Sequence, residues 1–188
     1  MGWEPVLPGE AVFVVLSTNE RYLRAVDAEP GISAGLKSFA RALSALPLPH
    51  RADRGPWTVI VERPDGASAA DACLHYAIHH LMQARFRVEA DEAWLYEGLA
   101  VYAVLRLFGT NQHWCVKQEQ TSAKPLDPMA TPPTDWPTDV LAMVFRREDE
   151  PLRRIVGASL NELDGSMLLK AWSLLRLLFE EHPEEGVA

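Results

Sequence analysis

The chain has 188 residues, a formal charge of -8, and a composition that is 48% apolar and 23% charged. That length buries one substantial core and that balance belongs to ordinary globular proteins, which excludes the disordered and fibrous classes; a single domain over residues 1–188 is expected. An acidic chain without clustered Lys and Arg is not expected to bind nucleic acid. Cys73 and Cys115 are too few and too far apart for a disulfide framework or a cysteine zinc knuckle.

The chain opens Met1-Gly2-Trp3-Glu4-Pro5, with no basic segment feeding an apolar run, so a signal peptide is not expected and localisation stays open. Ala11 to Leu16 (AVFVVL) is a β-branched and aromatic run that predicts a buried strand, and Ser17-Thr18-Asn19 then supplies a helix cap for a helix over 20–26. Residues 32–46 place Leu36, Phe39, Ala40 and Leu43 at helical spacing until Pro47 and Pro49 end the pattern. Trp57 to Glu62 (WTVIVE) predicts a second strand before the turn signal Pro64-Asp65-Gly66. A third strand is expected within a segment otherwise read as helix or loop.

Residues 68–85 read as a helix, with Asp65, Ser68 or Asp71 as N-terminal cap. A second helix is predicted from Asp91-Glu92, whose carboxylates suit the positive end of the helix dipole, to Phe108, where Gly109 stops it. Residues 121–138 contain five prolines, a density that predicts a loop or flap. Helical pieces over 139–145, 151–156 and 161–181 follow, the last with Leu168, Trp172, Leu175 and Phe179 on one face. Arg106, Lys170 and Arg176 interrupt the longest apolar stretches, which leaves neither the roughly 20 uncharged residues of a membrane span.

Chemistry concentrates in two places. His75-Tyr76-Ala77-Ile78-His79 sets two imidazoles at i and i+4, one turn apart on the same side of a helix. Zinc accepts imidazole nitrogens at roughly 2.0–2.1 Å, and catalytic sites add a third protein ligand, often Glu, while leaving a position open. Glu97, 18 residues beyond His79 on the next helix, is the candidate third ligand.

The segment His75 to His79 followed by Trp94-Leu95-Tyr96-Glu97-Gly98-Leu99-Ala100-Val101-Tyr102 resembles the HExxH and W-L-x-E-G-x-A-x-Y segments of the gluzincin metallopeptidases. The resemblance is strongest to the peptidase-MA-like domains of unknown function found in many bacterial proteins, and it extends weakly to Phe13–Val26 and to Lys170-Ala171-Trp172-Ser173-Leu174-Leu175. It implies an α+β, zincin-like fold: a small mixed β-sheet packed on the HxxxH helix and the following Glu-bearing helix, with a helical C-terminal part. It implies zinc on His75, His79 and Glu97. It also makes Tyr102 a candidate for contact with a ligand side chain, although a core role is equally open; His80, on the wrong side of the helix to join His75, is read as contacting a ligand side chain or as a surface residue.

One position departs from the pattern. In HExxH enzymes the glutamate after the first histidine takes a proton from water and returns one to the leaving amine, and here Tyr76 stands there. A phenol with an ordinary pKa near 10 is a poor base at neutral pH, though it can donate a hydrogen bond to an oxyanion. Three readings follow: a zinc-binding, catalytically impaired homologue that binds a peptide or protein; a working metallohydrolase with a non-standard base; and a metal-free structural or interaction domain.

Overall fold

A computed structural model describes residues 12–30, 32–42, 48–52, 55–61, 69–83, 92–109, 111, 135–160 and 162–182. Helix predominates among them, and backbone contacts divide the chain into two compact units, 1–85 and 86–188. No helix of the described residues is long and apolar enough to cross a membrane.

In the first unit, strand β1 (Val12–Leu16) runs into helix α1 (Asn19–Ala28) through Thr18, whose side chain accepts from the Arg21 backbone N–H at 3.2 Å and so caps the helix. Helix α2 (Ala34–Ala42) packs on α1. Strands β2 (Leu48–Ala52) and β3 (Gly55–Val61) follow, and backbone pairing gives the order β1-β3-β2. The pairing is parallel between β1 and β3, with Val14 opposite Val59, and antiparallel between β2 and β3, with His50 opposite Trp57. The run WTVIV suits the central place that β3 takes. Pro49, which lacks an N–H for the ladder, falls on the edge strand β2, where that lack is tolerated.

Helix α3 (Ala69–Leu81) packs on β3. Its burial is inverted. Asp71, His75, Tyr76, His79 and His80 are buried with Ala72, while Leu81 is exposed and Cys73, Leu74, Ala77 and Ile78 are only half-buried. Buried polar side chains, rather than exposed apolar ones, are the informative departure from ordinary amphipathic packing.

In the second unit, helix α4 (Ala93–Phe108) ends at Gly109, whose φ of 71° is the left-handed cap that glycine adopts without strain and whose N–H returns to the Leu105 carbonyl at 2.9 Å. Glu92 occupies the cap position at the other end without a side-chain bond to the helix. Helix α5 (Trp136–Phe145) corrects the loop expected through residue 138: Asp135 accepts from the Thr138 N–H, and Pro137 lies in the first turn, where no intrahelical donor is lost. The rest of that proline-rich stretch, 121–134, lies outside the described residues.

Helix α6 (Leu152–Val156) leads to helix α7 (Gly165–Arg176), which continues as a π-helical turn over Leu177–Glu181. The helix expected from residue 161 starts four residues later, because Asp164 is its cap and accepts from the Met167 N–H at 2.9 Å. Leu168, Trp172 and Leu175 are buried on one face of α7, which packs on α4 and α5 around a core that includes Val101, Trp136, Ile155, Leu163 and Met167. Trp94 packs against that core, and Trp136 meets Trp172 edge to face at 5.6 Å.

Candidate metal centre

α3 presents its histidines one turn apart, and the fold keeps both from water: His75 is 0% and His79 2% exposed. Their ring centroids lie 4.4 Å apart at an interplanar angle of 67°. The Tyr76 ring joins them, edge-on, at 5.3 Å from His75 and 5.5 Å from His79. The residue standing where the HExxH pattern has its glutamate is therefore beside the imidazoles and not turned out to solvent.

Glu97 sits in the second turn of α4, whose other buried residues are Ala93, Tyr96, Gly98, Ala100, Val101 and Val104, and it is fully buried. A carboxylate in such company costs several kcal/mol unless a cation or hydrogen-bond donors meet it, by the order of magnitude for buried ions. The three predicted ligands come together: His75, His79 and Glu97 each offer one ligand atom, and these atoms all lie within 4.8 Å of one another.

The donor set fits zinc. Two imidazoles and a carboxylate are among its characteristic ligands, and a tetrahedral ion with bonds of roughly 2.1 Å spaces its ligands roughly 3.4 Å apart, within the 4.8 Å that bounds these atoms. His75 Nδ1, His79 Nε2 and Glu97 Oε2 are buried atoms that make no hydrogen bond, while each of these residues has other interactions within the fold.

The remaining predicted residues have other surroundings. His80 is 9% exposed and faces the strand layer, with its ring 6.0 Å from that of Phe13 on β1. Tyr102 stacks on Phe179 at 5.4 Å, an interaction within the helical unit. Burial raises its pKa; Glu180 adds to the rise and Arg106 opposes it. Cys73 is half-buried, and that burial raises its thiol pKa; Cys115 lies outside the described residues.

Sequence reasoning missed one member of the buried set. Asp71, 1% exposed, lies in the first turn of α3 and was legible only as a candidate cap. The signal was its spacing, since residues 71, 75 and 79 recur at intervals of four and form one stripe.

Gly98 has a specific packing role beside Glu97. A Cβ built there would lie 2.9 Å from Leu175 Cδ1, 3.2 Å from Ala171 Cβ and 3.4 Å from the Ala171 carbonyl carbon. The missing side chain lets α4 and α7 approach closely and holds the turn that carries Glu97.

No family model, no curated protein and no solved structure matches this chain.

Proposed function

We propose that the protein is a zinc-binding homologue of the gluzincin metallopeptidases, zincin-like in fold, in which His75, His79 and Glu97 hold the metal and peptide hydrolysis is impaired. The observation that carries this reading is the convergence of three buried ligand atoms within 4.8 Å. The sequence pattern around them points the same way, because the two histidines and the W-L-x-E-G-x-A-x-Y segment occupy the places of the family's ligands.

When bound, zinc supplies Lewis acidity at its open position. The chain's own residues do the rest. His75 and His79 orient through the rigidity of α3, Glu97 contributes negative charge from α4, and the buried setting excludes competing water. Tyr76 lies against both imidazoles with a phenol, a hydrogen-bond donor suited to a carbonyl or oxyanion and unsuited to removing a proton at neutral pH. Loss of a positioned base typically costs on the order of 10²–10⁴-fold in rate, so the proposed role is recognition of a peptide or protein segment.

Metal analysis of the purified chain after zinc reconstitution at neutral pH tests the reading. One zinc per chain is expected, with retention lost in His75→Ala and in Glu97→Gln. A wild-type chain that retains no zinc would overturn it. Chelator-sensitive cleavage across a peptide library at rates ordinary for peptidases would overturn the impaired-hydrolysis part alone.

A further inference from the structure

Asp71 is buried as completely as the metal-ligand candidates, and neither of its ordinary explanations accounts for that. An acidic residue in the first turn of a helix favours the dipole or reaches back to the cap, and both roles are fulfilled at a solvent-exposed surface. A carboxylate withdrawn from water needs a donor or a positive charge beside it. On α3, side chains lean toward the helix N-terminus, which carries the His75 ring over the turn that Asp71 occupies. The stripe Asp71, His75, His79 thus places an acceptor one turn behind the first imidazole, and all three side chains are buried.

We propose that Asp71 is a positioning residue: its carboxylate accepts a hydrogen bond from the His75 ring nitrogen that does not face the metal, fixing the tautomer and the ring orientation that present the other nitrogen. The inference rests on the zinc-binding reading. Imidazole ligands commonly donate their second N–H to a carboxylate, which makes the imidazole a stronger donor to the metal. Asp71 touches neither the metal nor a substrate in this scheme. It acts through His75.

The test is zinc titration of the full chain against a chromophoric chelator, for wild type, Asp71→Asn and Asp71→Glu, together with the ¹⁵N resonances of His75 in the metal-free protein. Asp71→Asn is expected to weaken zinc binding about 10–100-fold, the usual cost of losing such a partner. It should also shift the His75 tautomer equilibrium while helix content is kept. Asp71→Glu retains the charge and suits the helix start but displaces the carboxylate by a methylene. A capping role predicts wild-type affinity for this variant, whereas the positioning role predicts weaker binding at unchanged thermal stability. Wild-type affinity and unaltered His75 resonances in whichever of the two variants folds would overturn the role of Asp71 and leave the zinc site standing. A wild-type chain that binds no zinc would overturn both.

Discussion

Gly98→Ala sets two effects of known size against each other. Alanine is favoured over glycine in a helix interior by about 1 kcal/mol, so on propensity alone the variant should be the more stable. The added Cβ, however, meets Leu175 Cδ1 at 2.9 Å, Ala171 Cβ at 3.2 Å and the Ala171 carbonyl carbon at 3.4 Å. Leu175 Cδ1 is the end of a rotatable side chain, yet Leu175 is 1% exposed and has little space to turn into. Ala171 offers no rotation at all, and relief there requires α4 and α7 to separate. Overpacking of this kind costs about 1–3 kcal/mol, which leaves a net loss of about 1 kcal/mol and lowers the melting temperature by roughly 2–4 °C for a chain of this size. Thermal unfolding followed by tryptophan fluorescence reports on this core in part, since Trp136 and Trp172 belong to it and Trp94 packs against it. Adding Ala171→Gly to Gly98→Ala should restore part of the loss, with a coupling of about 0.5–3 kcal/mol, because the two methyl groups compete for one space. A melting temperature that rises in Gly98→Ala would refute the reasoning and mean that the helices separate without cost.

Two further perturbations test other parts of the molecule. The Tyr22 hydroxyl is buried and makes no hydrogen bond, and burial pushes its pKa up to about 12. Tyr22→Phe should therefore stabilise the fold at neutral pH by about 1 kcal/mol, read by denaturant unfolding; a loss of stability would show that the hydroxyl has a partner. In the wild type the folded pKa lies above the unfolded value near 10, so ionisation of Tyr22 leaves stability unchanged below pH 10 and lowers it as pH rises toward 12. Tyr22→Phe should lack that alkaline decline. Tyr76→Glu restores the acid/base residue of the HExxH pattern and should produce chelator-sensitive peptide cleavage about 10²-fold or more above wild type. A zinc-loaded variant that cleaves no better would show that Tyr76 is not what limits hydrolysis.

The helices that carry the candidate ligands were legible because their signals are local. The helical spacing of His75 and His79 and the glycine stop after Phe108 depend only on neighbours within a turn or two. The edge strand was not legible in this way. Leu48-Pro49-His50-Arg51-Ala52 has no alternation and contains a proline, and it becomes a strand only by pairing with β3. The start of α7 was misplaced for a related reason. Glu162 accepts from the Ser159 N–H at 3.0 Å and from its hydroxyl at 2.8 Å, contacts that lower its pKa and tie Glu162 back to Ser159 ahead of the Asp164 cap. At the site, spacing and the resemblance brought forward His75, His79 and Glu97 as candidates that the structure groups together, but burial is a tertiary property. Nothing local distinguishes Asp71 from an exposed carboxylate at a helix start, and nothing local pairs Tyr102 with Phe179 on a π-helical turn.

The inverted burial of α3 bears on how metal binding and hydrolysis would separate under the proposed function. A buried polar atom that makes no hydrogen bond costs about 1–3 kcal/mol, and His75 Nδ1, His79 Nε2 and Glu97 Oε2 make none, although each of these residues has other interactions within the fold. A ligand that binds only the folded state contributes about 2.7 kcal/mol at a hundredfold excess over its dissociation constant and about 4.1 kcal/mol at a thousandfold. These magnitudes are comparable, so a metal on these residues would offset a cost of that size. Tyr76 does not enter that balance. Its ring packs against both imidazoles and fills the same buried face whether or not proton transfer occurs there. Tyrosine in the place of the pattern's glutamate offers no base and adds apolar contact, while His75, His79 and Glu97 remain as candidate ligands. On the proposed reading, a metal would help make the buried face of α3 tolerable, and hydrolysis would be a property that one side chain can withdraw from it.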